Sequence, residues 1–407
     1  MQVIRIVLPF TLGYFLSYAV RNVNAVIAPD LVADLHLTSA SLGLLTSTYF
    51  LAFAAFQLPL GILLDRYGPR RVEAVLFLFA ASGCALFAFS QSLYGLVAAR
   101  ALIGIGVSGA LMGAFKAYVQ WFPPARLPLV NGLTMTCGGF GALAATQPVE
   151  SLLSLTDWRG VLLLMALFAL CVSIIVFVVV PRHASERATT RESWTEQVAG
   201  LKTVFSSSQF WRIAPLTVTS QAAFLAIQGL WAGPWFRDVA GLDRDAVAEQ
   251  LLLITVAMVL GFLSVGVLTE RLSRIGVSQL VAATGCCVFA VGALGLIIWM
   301  PEYALMGPWL VFGFFGGAGY LFYSILTTHF PTALAGRAIT CANVLTFSGA
   351  FVAQWSIGVV IGWWPETGPG RFDPAGYAAG FALYFAIILV STLWLVLAPR
   401  WLGRAAR

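Results

Sequence analysis

Long apolar stretches recur along the chain with only short polar breaks between them. Stretches near residues 6–28, 39–64, 72–90, 93–118, 128–149 and 158–180 are followed by a second set near 212–235, 247–268, 277–299, 304–328, 338–362 and 377–398. Each holds about the 20 apolar residues that carry a helix across a hydrocarbon layer of about 30 Å. The pattern predicts an all-α protein of twelve transmembrane helices. The longest polar stretch, roughly Pro181 to Ser208, separates the sixth from the seventh and reads as a linker. An amphipathic helix is expected within it around Trp194–Phe205. This divides the chain into an N-terminal six-helix bundle at 1–180, a linker at 181–210 and a C-terminal six-helix bundle at 211–407.

Composition agrees. The 407 residues are 60% hydrophobic and 10% charged, well below the quarter or so that a water-facing surface requires. The six cysteines all fall in apolar stretches and have no metal-type spacing with the three histidines, so they read as small packing residues. No signal peptide is evident, because the first apolar run is too long and lacks a cleavage site.

The net charge of +6 suggests nucleic acid until its distribution is mapped. With the N-terminus in the cytoplasm, most of the 23 Lys and Arg fall on that side. Only Arg159, Arg237, Arg244 and Arg371 fall outside, with Arg21 and Arg100 inside spans. Positive charge on cytoplasmic segments predicts both termini and the linker on that face, and no nucleic-acid partner. The halves also repeat. Gly61-Ile-Leu-Leu-Asp65-Arg66 returns as Gly266-Val-Leu-Thr-Glu270-Arg271, and Phe122-Pro123, Arg126 and Asn131 return as Phe330-Pro331, Arg337 and Asn343. Val180-Pro181-Arg182 returns as Ala398-Pro399-Arg400. Internal repeats in this order mark secondary transporters.

Gly61-x3-Asp65-Arg66-x-Gly68-x-Arg70-Arg71 resembles the signature loop between helices 2 and 3 of the major facilitator superfamily. Arg100-x3-Gly104-x-Gly106 resembles that superfamily's second motif, on helix 4. The resemblance covers the whole chain. It implies two pseudo-symmetric six-helix bundles, a bacterial inner-membrane location and alternating access. It also implies that Gly61, Asp65, Arg66, Gly68, Arg70, Arg71, Glu270 and Arg271 form a cytoplasmic latch, Asp65 lying opposite helix 11 near Arg337-Ala338. On physical grounds Gly61 would let helix 2 approach a neighbour, and Gly68 would permit a sharp turn.

Ionisable groups inside spans are costly and count as functional candidates. Tyr14, Tyr18 and Arg21 follow i, i+4, i+7 spacing on one face of helix 1, flanked by Asn22 and Asn24. Arg100 stands in helix 4, and Lys116, about 160° further round an ideal helix, is expected at the cytoplasmic mouth instead. In the second half, Gln221, Gln228 and Trp235 share a side of helix 7 with Trp231 adjacent. Tyr320, Ser324 and Thr327 share a side of helix 10 with Tyr323 nearby, and Asn343 and Gln354 share a side of helix 11. The glycines Gly313, Gly316, Gly317 and Gly319 are expected to permit close packing or bending of helix 10.

Tyr14, Tyr18, Arg21, Asn24, Arg100, Gln221, Gln228, Trp231, Tyr320, Tyr323, Asn343 and Gln354 are the cavity candidates. For each, structural hydrogen bonding between helices is the competing account.

No Asp or Glu falls at a span centre, Glu73 and Glu150 lying at ends. The usual carboxylate proton carrier is thus missing from mid-membrane. The Gly-Pro-x-x-Gly-Gly core of drug antiporters is not matched by Cys137-Gly-Gly-Phe-Gly141 with the later Pro148, and the glycine–asparagine signatures of nitrate transporters are absent. The favoured reading is a transporter of a small polar, anionic organic solute. A proton-driven exporter of amphipathic compounds is the alternative, and a membrane sensor or membrane-embedded enzyme the remote one. The expectation is a monomer with no enzymatic activity, cofactor or metal. Its partners are a small-molecule substrate and the lipid bilayer, with a coupling proton or other ion left open.

Overall fold

The computed structural model describes residues 2–123, 126–182, 194–303, 306–368 and 370–405. Two compact units emerge: Met1–Leu37 with Leu44–Glu192, and Thr38–Gly43 with Ser193–Arg407. The first contains α1 (Gln2–Asn22), α2 (Asn24–Leu35), α3 (Ser39–Tyr67, less its first turn), α4 (Pro69–Phe89), α5 (Leu93–Val107), α6 (Ala110–Trp121), α7 (Leu127–Ala144), α8 (Gln147–Leu153) and α9 (Trp158–Val179). The second contains α10 (Trp194–Phe205), α11 (Ser208–Ala226), a π-helical turn (Ile227–Trp231), α12 (Ala232–Asp238), α13 (Arg244–Arg274), α14 (Gln279–Trp299), α15 (Gly307–Gly316), a 3-10 turn (Gly317–Tyr320), α16 (Leu321–Thr328), α17 (Thr332–Ile361) and α18 (Pro374–Ala405). An isolated bridge between Gly368 and Arg371 is the only β pairing among the described residues.

Ten of these helices, counting α5–α6, α11–α12 and α15–α16 as single rods, are long and apolar enough to cross a membrane, and α1 with α2 makes an eleventh bent by 43°. α7 and α8 occupy the stretch expected to hold the fifth span, and with them the twelve-span fold is complete. The expected helix at Trp194–Phe205 forms as α10. Arg187 and Arg191 of the linker and the terminal Arg407 lie outside the described residues.

Helix starts follow the local sequence. Gly68 takes φ 77°, a region open to glycine, and Pro69 then opens α4 with its φ already fixed and no amide to orphan. Ser92, Asp157, Asp243 and Ser278 cap α5, α9, α13 and α14 through side-chain oxygens that accept from backbone N–H groups three residues on.

Inside each unit, helices approach through small residues, as expected where lipid provides no hydrophobic drive between them. A Cβ on Gly106 would strike the Ala80 backbone, and one on Gly141 the Phe15 carbonyl. In the second unit Gly261 lies on the Phe314 carbonyl, and Gly316, Gly317 and Gly319 lie against Phe224, Phe262 and Gln221. The packing role expected for the helix-10 glycines is therefore present. Outer faces stay apolar and open: Leu167, Phe177, Val178, Leu260, Phe289 and Val390 are all exposed, as lipid-facing side chains must be.

Candidate functional site

In the first unit the site grows from the break between α1 and α2. Val23 interrupts the helix, and two asparagines flank it. Asn22 donates to the Tyr18 carbonyl at 2.9 Å, while the buried Asn24 Oδ1 has no hydrogen-bond partner among the described residues. Discontinuous spanning helices of this kind recur at transporter substrate sites, because broken turns free polar backbone.

Arg21 occupies the last turn of α1, where a cation favours the helix dipole. The residue is 9% exposed, and its guanidinium is framed by aromatic rings, with centroids at 4.7 Å for Tyr18, 5.7 Å for Phe53 and 5.9 Å for Tyr49. Its Nε points at the Tyr49 hydroxyl, 3.5 Å away. Tyr14 packs edge-on against Tyr18 at 5.1 Å, and both rest on Gly138 of α7, where any side chain would collide with the rings. The expected Tyr14–Tyr18–Arg21 face is intact, and Tyr49 and Phe53 of α3 complete it.

Arg100 on α5 is fully buried. It donates from Nη1 to the Val20 carbonyl at 3.0 Å, one residue from Arg21, and its guanidinium lies 5.0 Å from the Phe87 ring centre. Its Nε and Nη2 have no hydrogen-bond partner among the described residues. The two arginines therefore meet at the same turn of α1. One binds its backbone and the other projects from it.

The second unit, taken by itself, carries amides and phenols. Gln221 donates to the Gly316 carbonyl at 2.9 Å, leaving its Oε1 buried and unpartnered. The Gln354 carbonyl accepts from the Trp231 indole at 3.0 Å, while its Oε1 is likewise buried and unpartnered. Gln228 lies 3.5 Å from Thr255 Oγ1, Tyr323 donates to Thr346 at 2.9 Å, and Tyr320 stacks on Tyr323 at 5.8 Å. Asn343 is half-buried.

Two expected faces fail here. The π turn at Ile227–Trp231 winds more residues per turn than an α-helix, so Gln221, Gln228 and Trp235 no longer align. Trp235 instead packs on Trp309 at 5.1 Å in an aromatic core. On helix 10, Ser324 is exposed while Tyr323 is buried, so the packed side of α16 runs through Tyr323 and the Tyr320–Ser324 face turns outward. The Thr327 side chain lies outside what is described.

In the signature loop, Asp65 forms an ion pair with Lys116 of α6, inside its own unit. Arg70 donates from Nε to the Phe177 carbonyl at 2.8 Å and stacks over that ring, tying the start of α4 to the end of α9. Arg66 lies over Tyr67, and Arg71 is exposed. The close approach expected at Gly61 is absent, since a Cβ there meets nothing within 4 Å. In the second copy, Glu270 pairs with Arg274 on its own helix at 2.7 Å, and Arg271 is exposed.

Sequence reasoning missed several groups. Lys116, expected at the cytoplasmic mouth, has Asp65 of the signature loop as a partner that sequence did not name. The side chain of Asp238 is fully buried and accepts from Arg237 at 2.6 and 2.9 Å, from the Tyr377 hydroxyl at 2.8 Å and from the Phe372 N–H at 3.1 Å. The adjacent Arg237-Asp238 was the only sequence signal for that knot. Glu73, expected at a span end, does lie in the first turns of α4, yet it is wholly buried.

The profile described as Major Facilitator Superfamily matches residues 10–354. A probable sulfoacetate transporter of Cupriavidus necator is 32% identical over 148 residues, covering 36% of this chain and 34% of that protein. The alignment thus spans about a third of that relative's length. A hexuronate transporter of Escherichia coli K12 is 22% identical over 408 residues, covering 95% of this chain and 92% of its own. Among solved structures, a D-xylose–proton symporter superposes with a TM-score of 0.74 at 17% identity, covering 97% of each chain.

Proposed function

Because the chain belongs to the Major Facilitator Superfamily and is an integral membrane transporter, we propose that its cargo is a small organic anion, moved by alternating access. The observation that carries this reading is Arg100: a fully buried guanidinium with two unpartnered nitrogens, anchored one residue from a second arginine. A charge at membrane depth costs at least about 2.5–3.5 kcal/mol on insertion scales. A bound carboxylate or sulfonate would offset that cost, and the planar guanidinium fork suits such groups. The anions named for the hexuronate and sulfoacetate relatives support the same chemistry. Asn24 and the Tyr14–Tyr18 pair would orient the rest of the solute, the rings giving it an apolar face and the free amide oxygen accepting a hydroxyl.

The test is counterflow in proteoliposomes preloaded with glucuronate, galacturonate, sulfoacetate, a neutral hexose or a cationic amine. Labelled hexuronate or sulfoacetate should exchange, and neither the hexose nor the amine should compete. Exchange of the neutral or cationic solute, with no exchange of any anion, would overturn the proposal.

A further inference from the structure

Glu73 is a wholly buried carboxylate of the first unit that the anion reading does not use. It sits in the second turn of α4 with no exposed surface. Its carboxyl lies flat on Gly113 of α6, where a Cβ would collide with Oε1, and its stem passes Gly109. Glycine at both positions makes room for the carboxyl. Neither oxygen has a side-chain or backbone partner that meets hydrogen-bond geometry, although the Ala114 amide lies alongside. Beyond the carboxyl the packing is apolar: Leu60, Leu64, Val72 and Leu76 form a buried cluster with Ile105 and Met112 against it.

Every charged or titratable group around it can be placed. From α6 come Lys116 and Tyr118, the latter bonded to Thr134 at 2.7 Å. From α3 come Asp65, paired with Lys116, and Arg66, which is exposed. On α4 itself Arg70 is spent on the Phe177 carbonyl, and Arg71 is exposed. From α9 the facing polar group is Ser173, which donates to the Ala74 carbonyl at 2.6 Å and does not titrate, Cys171 being turned outward. Arg100 of α5 lies beside Phe87 and Cys84, eleven residues or about 16 Å along α4 from Glu73. Among the described residues Arg66 and Arg71 are exposed to solvent, and the cation on the helix that packs against the carboxyl is Lys116, already paired with Asp65. Lys116 follows Gly113 by three residues, and helical side chains lean toward the N-terminus, so its stem starts over the turn on which the carboxyl lies.

We propose that Glu73 is a proton-binding site gated by the Asp65–Lys116 ion pair. With Lys116 held by Asp65, an anion at Glu73 would be uncompensated among apolar groups, and burying such a charge costs several kcal/mol. The site therefore holds a proton. When the pair opens, Lys116 can turn to Glu73. The carboxyl O–H bond then breaks, the proton passes to water at the loop end of the unit, and the electron pair stays on a carboxylate that Lys116 now neutralises. The ion pair is partly open to solvent, with side chains 24% and 43% exposed, so the exchange has a route to water. The proposal needs no particular cargo, and its test uses none.

Infrared difference spectra of the purified protein at pH 8 should show a protonated-carboxyl carbonyl band that disappears in Glu73→Gln. Should that variant fail to fold, dicyclohexylcarbodiimide, which attacks protonated carboxyls in apolar surroundings, reads the wild type directly: Glu73 should carry the adduct in peptide mass spectra. Asp65→Asn, which frees Lys116, should make the band titrate away at a pH lower by about one unit or more. Absence of both band and adduct at Glu73 overturns the proton site. A band that titrates identically in Asp65→Asn overturns the gating by Lys116.

Discussion

Arg21 and Arg100 share a turn of α1 but do different work, and substitution separates them. Arg100 binds the Val20 carbonyl and has two nitrogens to spare, so it both holds α1 and faces whatever fills the remaining space. Arg21 stands among Tyr18, Tyr49 and Phe53. Arg21→Lys keeps the charge but loses the planar fork, and Arg21→Gln loses both. Charge-assisted hydrogen bonds are worth about 1.5–3 kcal/mol. Arg21→Gln should thus weaken hexuronate binding by roughly 10–100-fold, and Arg21→Lys by less, both variants eluting as folded protein. Isothermal titration reads the difference; unchanged affinity in Arg21→Gln would return this arginine to a structural role. Asp238 is purely structural by the same scrutiny. All its acceptor capacity goes to Arg237, Phe372 and Tyr377, which strap the 362–373 segment to the end of α12. Asp238→Asn leaves Arg237 partly buried without its anion, a loss of about 3–5 kcal/mol in comparable buried pairs. Its thermal unfolding midpoint should fall clearly, while hexuronate affinity, set in the other unit, should not change.

At the scale of elements, the two motif glycines Gly61 and Gly106 look equivalent in sequence and are not. A methyl at Gly106 would strike the Ala80 backbone, whereas one at Gly61 meets open space. Gly106→Ala should therefore destabilise the α4–α5 contact by about 1–3 kcal/mol, the usual range for overpacking. Gly61→Ala, inside α3 with open space for the methyl, should leave the melting midpoint level or raise it slightly, both read by scanning fluorimetry in detergent. What sequence could and could not show follows from similar particulars. Spans and α10 were legible because length and composition alone define them. Gly68 was legible because a sharp turn before Pro69 needs a residue free to take φ 77°. The face of helix 7 was not, because reckoning at 100° per residue assumes an unbroken α-helix. The π turn at Ile227–Trp231 resets that count, whereas on helix 10 the count holds along α16 and does not tell that Ser324 faces outward. The break of α1 at Val23 was also invisible, although it lies between two asparagines that sequence had already marked. Glu73 was placed correctly along its helix but read as harmless. Position along a helix does not reveal which side it faces when lipid-facing and packed sides are both apolar. Only Gly109 and Gly113, far off in sequence, show that the carboxyl is enclosed.

For the whole molecule, charge distribution makes the boldest statement, that both termini and the 181–210 linker face the cytoplasm. The arginines and lysines bordering the spans are concentrated in the N-terminus, the Gly61–Arg71 loop, the linker and the C-terminus. Each such charge resists translocation, so the side that holds most of them stays behind. Two of the four exceptions are tied down locally: Arg159 pairs with Asp34 at 2.5 Å, and Arg237 with Asp238 at 2.6 Å. Both therefore carry their own anion, and they weigh less against the bias than their number suggests. Two exposed positions on opposite sides of α11–α12 decide the matter: Ser206, just before α11, and Asp245, in the first turn of α13. One span separates them, so they must lie on opposite faces whichever orientation holds. In intact cells a membrane-impermeant maleimide should label Asp245→Cys at once. It should reach Ser206→Cys only after permeabilisation, with the cysteine-replaced parent as the blank for the native thiols. Labelling of Ser206→Cys from outside, with Asp245→Cys protected, would invert the molecule. The Asp65–Lys116 pair and the Glu73 proton site would then exchange with the outer compartment rather than with the cytoplasm, so this one measurement also fixes the side on which that proton is released.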